Sequence, residues 1–227
     1  MVNIKVIISL GGSLIVSQNI DITFLKKFRI AIIKFIKRGN KVAIICGGGK
    51  TCRNYQNAAR KITEIPNIDI DLIGIMSTRL NAELIRAIFF KHAYEHIITD
   101  YSKKIVTSKP ILIGAGWKPG CTTDNDSVLL AKNLHADTII NLTNVDYIYD
   151  KDPHKFHDAK PIKKISWKEF LEIIGEKYIS GMHVPFDPVA AKKAQQLKLK
   201  VIILNGNNLK NLENCLNRKK FKGTVIE

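Results

Sequence analysis

Three short segments of the chain combine glycines with polar side chains directly after an apolar run: Gly11–Ser13, Gly47–Lys50 and Gly114–Asp124, the last reading GAGWKPGCTTD. Glycine lets the backbone come close to a ligand and turn its N–H groups towards it. Where such a turn opens a helix, the unpaired N–H groups and the positive end of the helix dipole favour an anion. The spacing G-x-x-x-x-G-K of the P-loop is absent. We interpret the segments as loops that hold two phosphate-bearing ligands side by side.

The apolar runs before these loops predict the strands that position them. They are Lys5–Leu10, Lys41–Cys46 and Ile111–Ile113, and a fourth run, Thr138–Leu142, leads into the polar loop Thr143–Asp146. Strands that are apolar on both faces are typical of a parallel sheet covered by helices on both sides. Loops at the carboxyl ends of such strands meet at one edge of the sheet, where ligands bind.

Helical periodicity and stop signals fill the intervals between the strands. Asp71 is expected to open the third of the predicted helices, and Ser166 to cap the helix at 165–174. The predicted helices are Asp21–Arg38, Thr51–Lys61, Leu72–Phe90, one starting at Thr122–Asp124, Ile165–Ile174, Val189–Leu197 and Leu209–Leu216. Val201–Leu204 is expected to be the last inner strand and Gly223–Ile226 an edge strand. This alternation predicts one doubly wound α/β domain over residues 1–227, a three-layer α/β/α fold with a mainly parallel central sheet.

Composition narrows the class of protein. The chain has 227 residues and a formal net charge of +16, but its lysines and arginines are scattered and form no arginine-rich arm. We therefore expect no nucleic-acid partner, although the positive field would attract anionic nucleotides. No apolar run approaches the roughly 20 residues of a membrane span, and the N-terminus lacks the pattern of a signal peptide. A cytoplasmic protein with reduced cysteines and no membrane partner is predicted.

Two charged residues stand out next to the glycine loops. Arg53 lies in the first turn after Gly47–Lys50, where a guanidinium could clamp a phosphate. Asp71 is either a helix cap or, placed opposite a glycine loop, an acceptor for ribose hydroxyl groups.

Eight motifs, taken in order along nearly the whole chain, resemble the amino acid kinase fold and, within it, the uridylate (UMP) kinases of the archaeal-like type. Any one of the motifs is weak, but the ordered set is specific. The matching segments are S-L-G-G-S at Ser9–Ser13, G-G-G-K at Gly47–Lys50 with Arg53, D-L-I-G-I at Asp71–Ile75, R-L-N-A at Arg79–Ala82, P-G-C-T-T-D at Pro119–Asp124, T-N-V-D at Thr143–Asp146, Y-D-K-D-P at Tyr149–Pro153 and D-P-V-A-A-K at Asp187–Lys192.

The resemblance implies transfer of the γ-phosphoryl group of ATP to UMP, with Mg²⁺, giving UDP and ADP in pyrimidine nucleotide biosynthesis. It implies a UMP-binding half at residues 1–135, an ATP-binding half at 136–227 and a homo-oligomer, since the family commonly forms hexamers. Carried over by position, the residues that would hold UMP are Gly48, Asp71, Trp117, Gly120, Cys121, Thr122 and Thr123. Those that would hold ATP are Gly11, Gly12, Ser13, Gly49, Arg53, Thr143, Asn144, Tyr149 and Asp152.

Arg53 and Asp124 are our two candidates for catalytic residues. Asp124, at the helix start between the two nucleotide sites, would organise the site or its metal, although a simple helix cap explains the residue too. No metal ligand is identified.

The chain departs from the family pattern at two positions. Many members carry lysine two residues before the first glycine pair, where this chain has Ser9, so Lys50, Arg53 or Lys118 would have to neutralise the transferring phosphoryl group. Tyr147 replaces the glycine usual after N-V-D.

Two other functions remain open. One is a kinase of the same fold acting on an acyl phosphate, carbamate or isopentenyl phosphate, although G-G-G-K-T-C-R lacks the histidine usual in isopentenyl phosphate kinases. The other is a nucleotide-binding sensor or storage protein that has lost catalysis, which the serine at position 9 would explain.

Overall fold

The central strands form the middle layer of the fold, between two layers of helices, because their residues are apolar on both faces. The computed structural model describes residues 4–151, 156–175 and 185–227. In these ranges the strands are β1 (Val6–Leu10), β2 (Val42–Cys46), β3 (Ile111–Gly114), β4 (Thr138–Thr143), β5 (Ile148–Tyr149), β6 (Pro161–Ile162), β7 (Lys164–Ile165), β8 (Lys200–Asn205) and β9 (Thr224–Ile226). The helices are α1 (Gly12–Ile15), α2 (Ile22–Ile36), α3 (Gly49–Ile62), α4 (Asn67–Ile88), α5 (Thr123–Leu134), α6 (Trp167–Ile174), α7 (Pro188–Gln196) and α8 (Leu209–Leu216).

Seven strands form one sheet in the order β3-β2-β1-β4-β8-β9-β7, and β5 and β6 form a separate antiparallel pair. The five strands from β3 to β8 are parallel, and β9 runs antiparallel to β8. Val6 of β1 is in register with Val42 of β2 and with Thr138 of β4. The order of the strands reverses at β1, so the loops after β1, β2 and β4 leave one edge of the sheet at a topological switch point, where α/β proteins bind ligands.

Alternate residues of the central strands enter two separate cores. Ile7 packs with residues of α5, α6 and α7 on one side of the sheet, such as Val128 and Phe170. Ile8 packs on the other side with residues of α2, α4 and α8, such as Phe28. The three-layer arrangement predicted from the sequence is therefore confirmed.

Three details of the prediction were wrong. Helix α4 begins at Asn67 and not after Asp71, because Pro66 adopts the extended conformation of a cap and Asp69 lies in the first turn, where a carboxylate favours the helix. Strand β9 is not at the edge, since the two-residue strand β7 pairs with its outer side. The short helix α1 starts directly at Gly12, where only a turn was expected.

The cap predicted at Ser166 is confirmed. Its side chain accepts from the backbone of Glu169 while the Glu169 carboxylate accepts from the backbone of Ser166, a reciprocal capping box. Within the described residues, no helix is both long and apolar enough to cross a lipid bilayer.

Candidate active site

The first two glycine loops touch each other. A Cβ atom on Gly12 would lie 2.1 Å from the backbone nitrogen of Gly49 and 2.6 Å from the carbonyl carbon of Gly47. Gly49 has a φ of +65°, and a Cβ atom there would lie 2.3 Å from the carbonyl oxygen of Gly12. The Gly11 N–H donates to the carbonyl of Leu142, at 3.1 Å, which ties the same loop to β4. The loops at 11–13 and 47–49 thus form one continuous backbone surface.

A buried amide fixes the orientation of the second loop. The Asn81 side chain donates to the carbonyl oxygens of Gly47, at 2.7 Å, and Gly48, at 3.1 Å. In a trans peptide the C=O and the following N–H point in opposite directions. The N–H groups of Gly48 and Gly49 therefore point away from Asn81, in an orientation suited to an anion.

The base of the third loop is held by side chains from several elements. The Gly116 N–H donates to Thr78 Oγ1 at 2.8 Å, and Arg79 donates to the carbonyl oxygens of Gly116 at 3.4 Å and Trp117 at 3.2 Å. The Trp117 N–H donates to Asp126 Oδ2 at 3.3 Å. The backbone here is anchored before the loop reaches its tip.

The tip of this loop rests on Asp71. The Gly120 N–H donates to Asp71 Oδ2 at 2.8 Å, and Gly120 has a φ of +77°, which suits glycine. The Cys121 N–H closes a turn onto the carbonyl of Lys118 at 3.1 Å. Asp71 is therefore not a helix cap, since it lies inside α4 and braces the loop at 117–121.

Asp124 joins three elements. Thr122 caps α5 by accepting from the Asn125 N–H, so the interpretation of Asp124 as the cap is wrong. Ser9 Oγ, at the end of β1, donates to Asp124 Oδ1 at 3.4 Å, and the Asp187 N–H, at the start of α7, donates to Asp124 Oδ2 at 3.1 Å. The carboxylate stands where β1, α5 and α7 meet.

Three carboxyl groups lie close together here, and the charge of Lys193 acts on two of them, Asp126 and Asp187. Burial raises the pKa of Asp124 to about 7, with a smaller contribution from the charge of Asp187, although the residue keeps some contact with solvent. Burial also raises the pKa of Asp126 to about 7, with a contribution from Asp124, and raises the pKa of Asp187. Lys193 opposes the last two shifts, and its Nζ donates to Asn125 Oδ1 at 2.7 Å. Among the buried side-chain oxygens and nitrogens of the described residues, Asp126 Oδ1 alone has no hydrogen-bond partner.

Arg53 and Ser13 lie at the surface beside the first two loops. Both side chains are exposed, and Arg53 occupies the first turn of α3. Burial raises the pKa of the neighbouring Cys52 thiol, and the Arg53 charge counteracts that rise. The Arg53 side chain is thus exposed to solvent near the start of α3.

The second half of the chain contributes the polar loop after β4. Thr143 Oγ1 donates to Asn144 Oδ1 at 3.2 Å, and the Gly206 N–H donates to the Thr143 carbonyl at 2.7 Å. Tyr149 lies in β5 and is half-buried. Asp152, also predicted to hold ATP, lies outside the described residues. The loop therefore adjoins the ends of β4 and β8.

Comparisons with known proteins agree with this architecture. The model of the amino acid kinase family matches residues 5–205. The chain belongs to the amino acid kinase family. This amino acid kinase is 35% identical to the uridylate kinase of Thermococcus kodakarensis over 226 residues, covering 98% of this chain and 99% of that protein. It is 34% identical to the uridylate kinase of Pyrococcus abyssi with the same coverage.

A solved structure shares its fold over the full length. The crystal structure of the uridylate kinase from Archaeoglobus fulgidus superimposes with a TM-score of 0.85 at 31% identity, covering 99% of this amino acid kinase and 100% of that chain.

Several residues of the site in this amino acid kinase were missed by sequence reasoning. They hold backbone or carboxyl groups, and most carry no recognisable local pattern; Arg79 and Asn81 belong to the quoted R-L-N-A segment, and Asp187 belongs to the quoted D-P-V-A-A-K segment. They are Thr78, Arg79, Asn81, Tyr101, Asp126, Asp187 and Lys193.

Proposed function

We propose that this protein is a uridylate kinase, which transfers the γ-phosphoryl group of ATP to UMP and releases UDP and ADP. The observation that carries the proposal is its similarity, over nearly the whole chain, to proteins named uridylate kinase. The contact of the glycine loops with each other and the position of Asp124 beside them support it.

UMP would bind on the side of the loop at 117–123. Its phosphate would meet the N-terminus of α5, where Thr122 and Thr123 offer hydroxyl and N–H groups, and the N–H groups near Gly48. Asp71 would act on UMP chiefly by fixing Gly120, because its carboxylate already accepts that N–H at 2.8 Å. Trp117 would line the side of the pocket that holds the base. Its ring packs edge-to-face on Tyr101, with 6.2 Å between the ring centroids.

ATP would bind across the first loop and the loop after β4. Its phosphates would lie along Gly11–Ser13 and Gly49, with Arg53 as a clamp, and its nucleoside near Thr143, Asn144 and Tyr149. Since β1 and β4 are neighbours in the sheet, both sets of residues leave from adjacent strand ends. The division into a UMP half and an ATP half at residue 135 is part of the proposal, as is Asp152.

The chemistry would rest on alignment and charge neutralisation, because phosphoryl transfer needs little covalent help from the protein. The two phosphates would approach each other between the loops at 11–13, 47–49 and 117–124, with Asp124 organising the junction. Ser9 brings no charge to this junction. A cation must therefore come from another residue. The sequence predicted three candidates, which are Lys50, Arg53 and Lys118. Lys193 of α7, which donates to Asn125, is a fourth candidate.

Mg²⁺ fits the site as a companion of ATP. Within the described residues, no group of three or more histidine, cysteine or acidic side chains could cage a metal ion. Mg²⁺ commonly keeps several waters and binds substrate phosphates with only one or two carboxylates from the protein. The triphosphate would hold it, with Asp124 as the available carboxylate, and it would neutralise phosphate charge. The cytoplasmic location and the homo-oligomer stay predictions.

A panel of acceptors tests the function. ADP release from ATP is followed with UMP, CMP, dUMP, a carboxylate such as acetate (which would give an acyl phosphate), carbamate and isopentenyl phosphate, and Asp124→Asn serves as the control for contaminating kinases. Turnover confined to UMP, with weaker CMP or dUMP, is expected. Turnover with another acceptor alone would assign the chain to a different kinase of the same fold, and binding of ATP and UMP without turnover would make it a sensor.

A further inference from the structure

A groove lies between helix α8 and the strands β7 and β9. It has a volume of about 870 Å³, and none of the described residues that line it is assigned to UMP or ATP. One side of α8, the segment at 218–223 that follows this helix, Tyr147, Lys163 and Val225 form its walls. We use the term α8 groove for the surface formed by these residues.

The α8 groove is strongly positive. Six of its side chains are cationic, and none of the described residues that line it is acidic. Within the described chain, only one of these cations has a carboxylate partner: Lys210 Nζ lies 3.9 Å from Glu213. Charges of one sign that are kept together at a concave surface attract a ligand of the opposite sign. The six cations are Lys163, Lys210, Arg218, Lys219, Lys220 and Lys222.

Folding gathers these cations from separate parts of the chain. The run R-K-K-F-K at Arg218–Lys222 supplies four of them, Lys210 comes from the first turn of α8, and Lys163 comes from the connection between β6 and β7. The Val225 N–H donates to the Lys163 carbonyl at 3.0 Å, which holds the backbone of that lysine beside β9. The expectation of no nucleic-acid partner was based on lysines scattered along the sequence, and the folded surface brings several of them together.

The basic run at 218–222 is anchored to α8. Near its start, the Lys219 N–H donates to the Asn214 carbonyl at 2.9 Å. At its end, the buried Asn211 side chain donates to the Lys222 carbonyl at 2.6 Å and accepts from the Lys222 N–H at 2.8 Å. The run therefore folds back along the helix. A ligand would meet these cations on a backbone that is already ordered, which lowers the entropic cost of binding.

The positive surface continues beyond the α8 groove. A second cavity, of about 760 Å³, shares Arg218 and Lys219 with the groove. This cavity adds Lys5, Lys198 and Lys200, against two carboxylates among its described lining. At 1.5 Å per residue α8 alone is roughly 12 Å long, so the cations are spread too widely for one phosphate group. Their arrangement suits a polymer with a repeated phosphate.

Features other than charge favour a nucleic acid as that polymer. Two aromatic side chains, Tyr147 and Phe221, line the groove and are half-buried. Proteins that bind single strands combine a positive groove with aromatic rings on which the bases stack. The amides of Asn208 and Asn214 add donors and acceptors for the edges of bases. A lipid surface is disfavoured, because none of the large exposed apolar residues of the described chain lines the groove.

We propose that the α8 groove binds single-stranded nucleic acid. Its cations hold consecutive phosphates of the strand, and Phe221 and Tyr147 stack on bases. The groove binds strands with little dependence on their sequence, because phosphate contacts carry no sequence information and every base has a face on which a ring can stack. The proposal does not depend on the proposed function, since the α8 groove and the glycine loops share no described residue.

Fluorescence anisotropy tests the groove with a labelled oligo(U) RNA and a labelled oligo(dT) DNA, each of about 20 nucleotides. The groove variant Lys219→Ala/Lys222→Ala is compared with the control Lys26→Ala/Lys27→Ala, which removes two exposed lysines from α2 and therefore has the same net charge. We expect the wild-type protein to bind with a Kd between about 1 and 100 μM at physiological salt. The groove variant should bind about tenfold more weakly or worse, and the control should stay within about twofold of the wild-type protein.

The salt dependence of binding gives a second readout. Each phosphate contact on a single strand contributes about 0.7 to the slope of log Kobs against the logarithm of the salt concentration. The slope should therefore become shallower by about 1.4 in the groove variant, because two contacts are lost, and should not change in the control. An unchanged slope in the groove variant would overturn the proposal, since the strand would then lie elsewhere on the protein.

Two ring variants separate a nucleic acid from other polyanions. Phe221→Leu and Tyr147→Leu each keep an apolar side chain but remove the surface on which a base stacks. Each variant should bind the oligonucleotides about fivefold more weakly or worse. Inorganic polyphosphate, which has phosphates without bases, should compete equally well for both variants and for the wild-type protein. The use of two variants guards against misfolding of either one, which circular dichroism detects.

Three results would overturn the proposal. The first is a wild-type protein that binds neither oligonucleotide at about 100 μM. The second is equal weakening in the groove variant and in the α2 control, which would mean that net charge alone attracts the strand. The third is full oligonucleotide affinity in both folded ring variants, which would overturn the assignment to nucleic acid because the groove would then bind any polyanion.

Discussion

The hydroxyl of Ser9 donates a hydrogen bond to the carboxylate of Asp124 across 3.4 Å, tying the end of β1 to the start of α5. A hydroxyl brings a dipole to this carboxylate where an ammonium group would bring a full charge. Burial therefore dominates, and the pKa of Asp124 rises to about 7. The protonation states of Asp124 and of its neighbour Asp126 therefore change with pH near neutrality.

The stability of the protein should report the protonation of Asp126. Its native pKa of about 7 lies above the roughly 3.9 of an unfolded aspartate, so between those values the native state binds the extra proton. The contribution of this proton to the free energy of unfolding is fully present below about pH 4 and is lost as the pH rises to about 7. Asp126→Asn keeps an acceptor for the Trp117 N–H but cannot ionise. As the pH rises from 5 to 7.5, the urea concentration at the midpoint of unfolding should therefore increase for Asp126→Asn relative to the wild-type protein.

The same comparison with Asp21→Asn, a helix cap on α2, provides the control. The Asp21 side chain caps α2 far from the carboxyl cluster, so that variant should show no such gain between pH 5 and 7.5. A constant difference between Asp126→Asn and wild type across this range would show that Asp126 is ionised throughout.

Replacing Asp71 should affect UMP more than ATP. Asp71→Ala removes the acceptor for the Gly120 N–H, and loss of one such bond, worth about 1 kcal/mol, corresponds to a roughly fivefold to tenfold rise in the KM for UMP. Asp71→Asn keeps an oxygen acceptor and should show a smaller effect in the same direction. Steady-state kinetics with each substrate varied in turn measures both. Equal losses for UMP and ATP would contradict the placement of Asp71 on the UMP side.

Arg53→Ala should lower kcat. A guanidinium at the start of α3 would stabilise charge on the phosphates, and removing one such donor from an active site commonly costs about 100-fold or more. Arg53→Lys should recover part of the rate because it restores the charge without the two-pronged geometry. Lys26→Ala, which removes one exposed charge from α2, is the control. Wild-type turnover in Arg53→Ala would exclude Arg53 from the site.

Gly12→Ala should be far more damaging than Gly39→Ala. A methyl group on Gly12 would collide with backbone atoms of Gly47 and Gly49, which cannot move without separating the two loops. Gly39 has a φ of +81° but open space around it, so alanine there costs only the backbone strain, about 1 kcal/mol. Urea denaturation should show a loss for Gly12→Ala of at least twice that size. Similar stabilities for the two variants would mean that the loops are not in contact.

The predictable part of the fold was its local part. A glycine loop after an apolar run marks the end of a strand whatever the tertiary structure. In the same way, Thr122 is a local capping residue that marks the start of α5. The start of α4 was missed because Asn67, Asp69 and Asp71 make its first turns as polar as a loop. The place of β9 was missed because its outer neighbour, β7, pairs with it across 61 positions of the chain and is only two residues long.

The site was predictable as a set of loops but not as a set of contacts. Asp124 meets Ser9 across 115 positions of the chain and Asp187 across 63. No periodicity links such residues, and the side chains that clamp the third loop, such as Arg79, act on backbone atoms whose partners depend on the fold. The pattern therefore indicates which strand ends converge, and only the folded chain shows which side chains hold them in place.

The two tryptophans occupy very different surroundings. Trp167 is buried at 5% exposure, and its indole N–H donates to the Leu199 carbonyl at 3.0 Å. Trp117 is half-buried in the loop at the mouth of the site, with Lys118 Nζ 4.3 Å above its ring. In a Trp167→Phe background the remaining indole would give this enzyme an intrinsic fluorescent reporter, whose emission changes as a ligand displaces water and the ammonium from the ring.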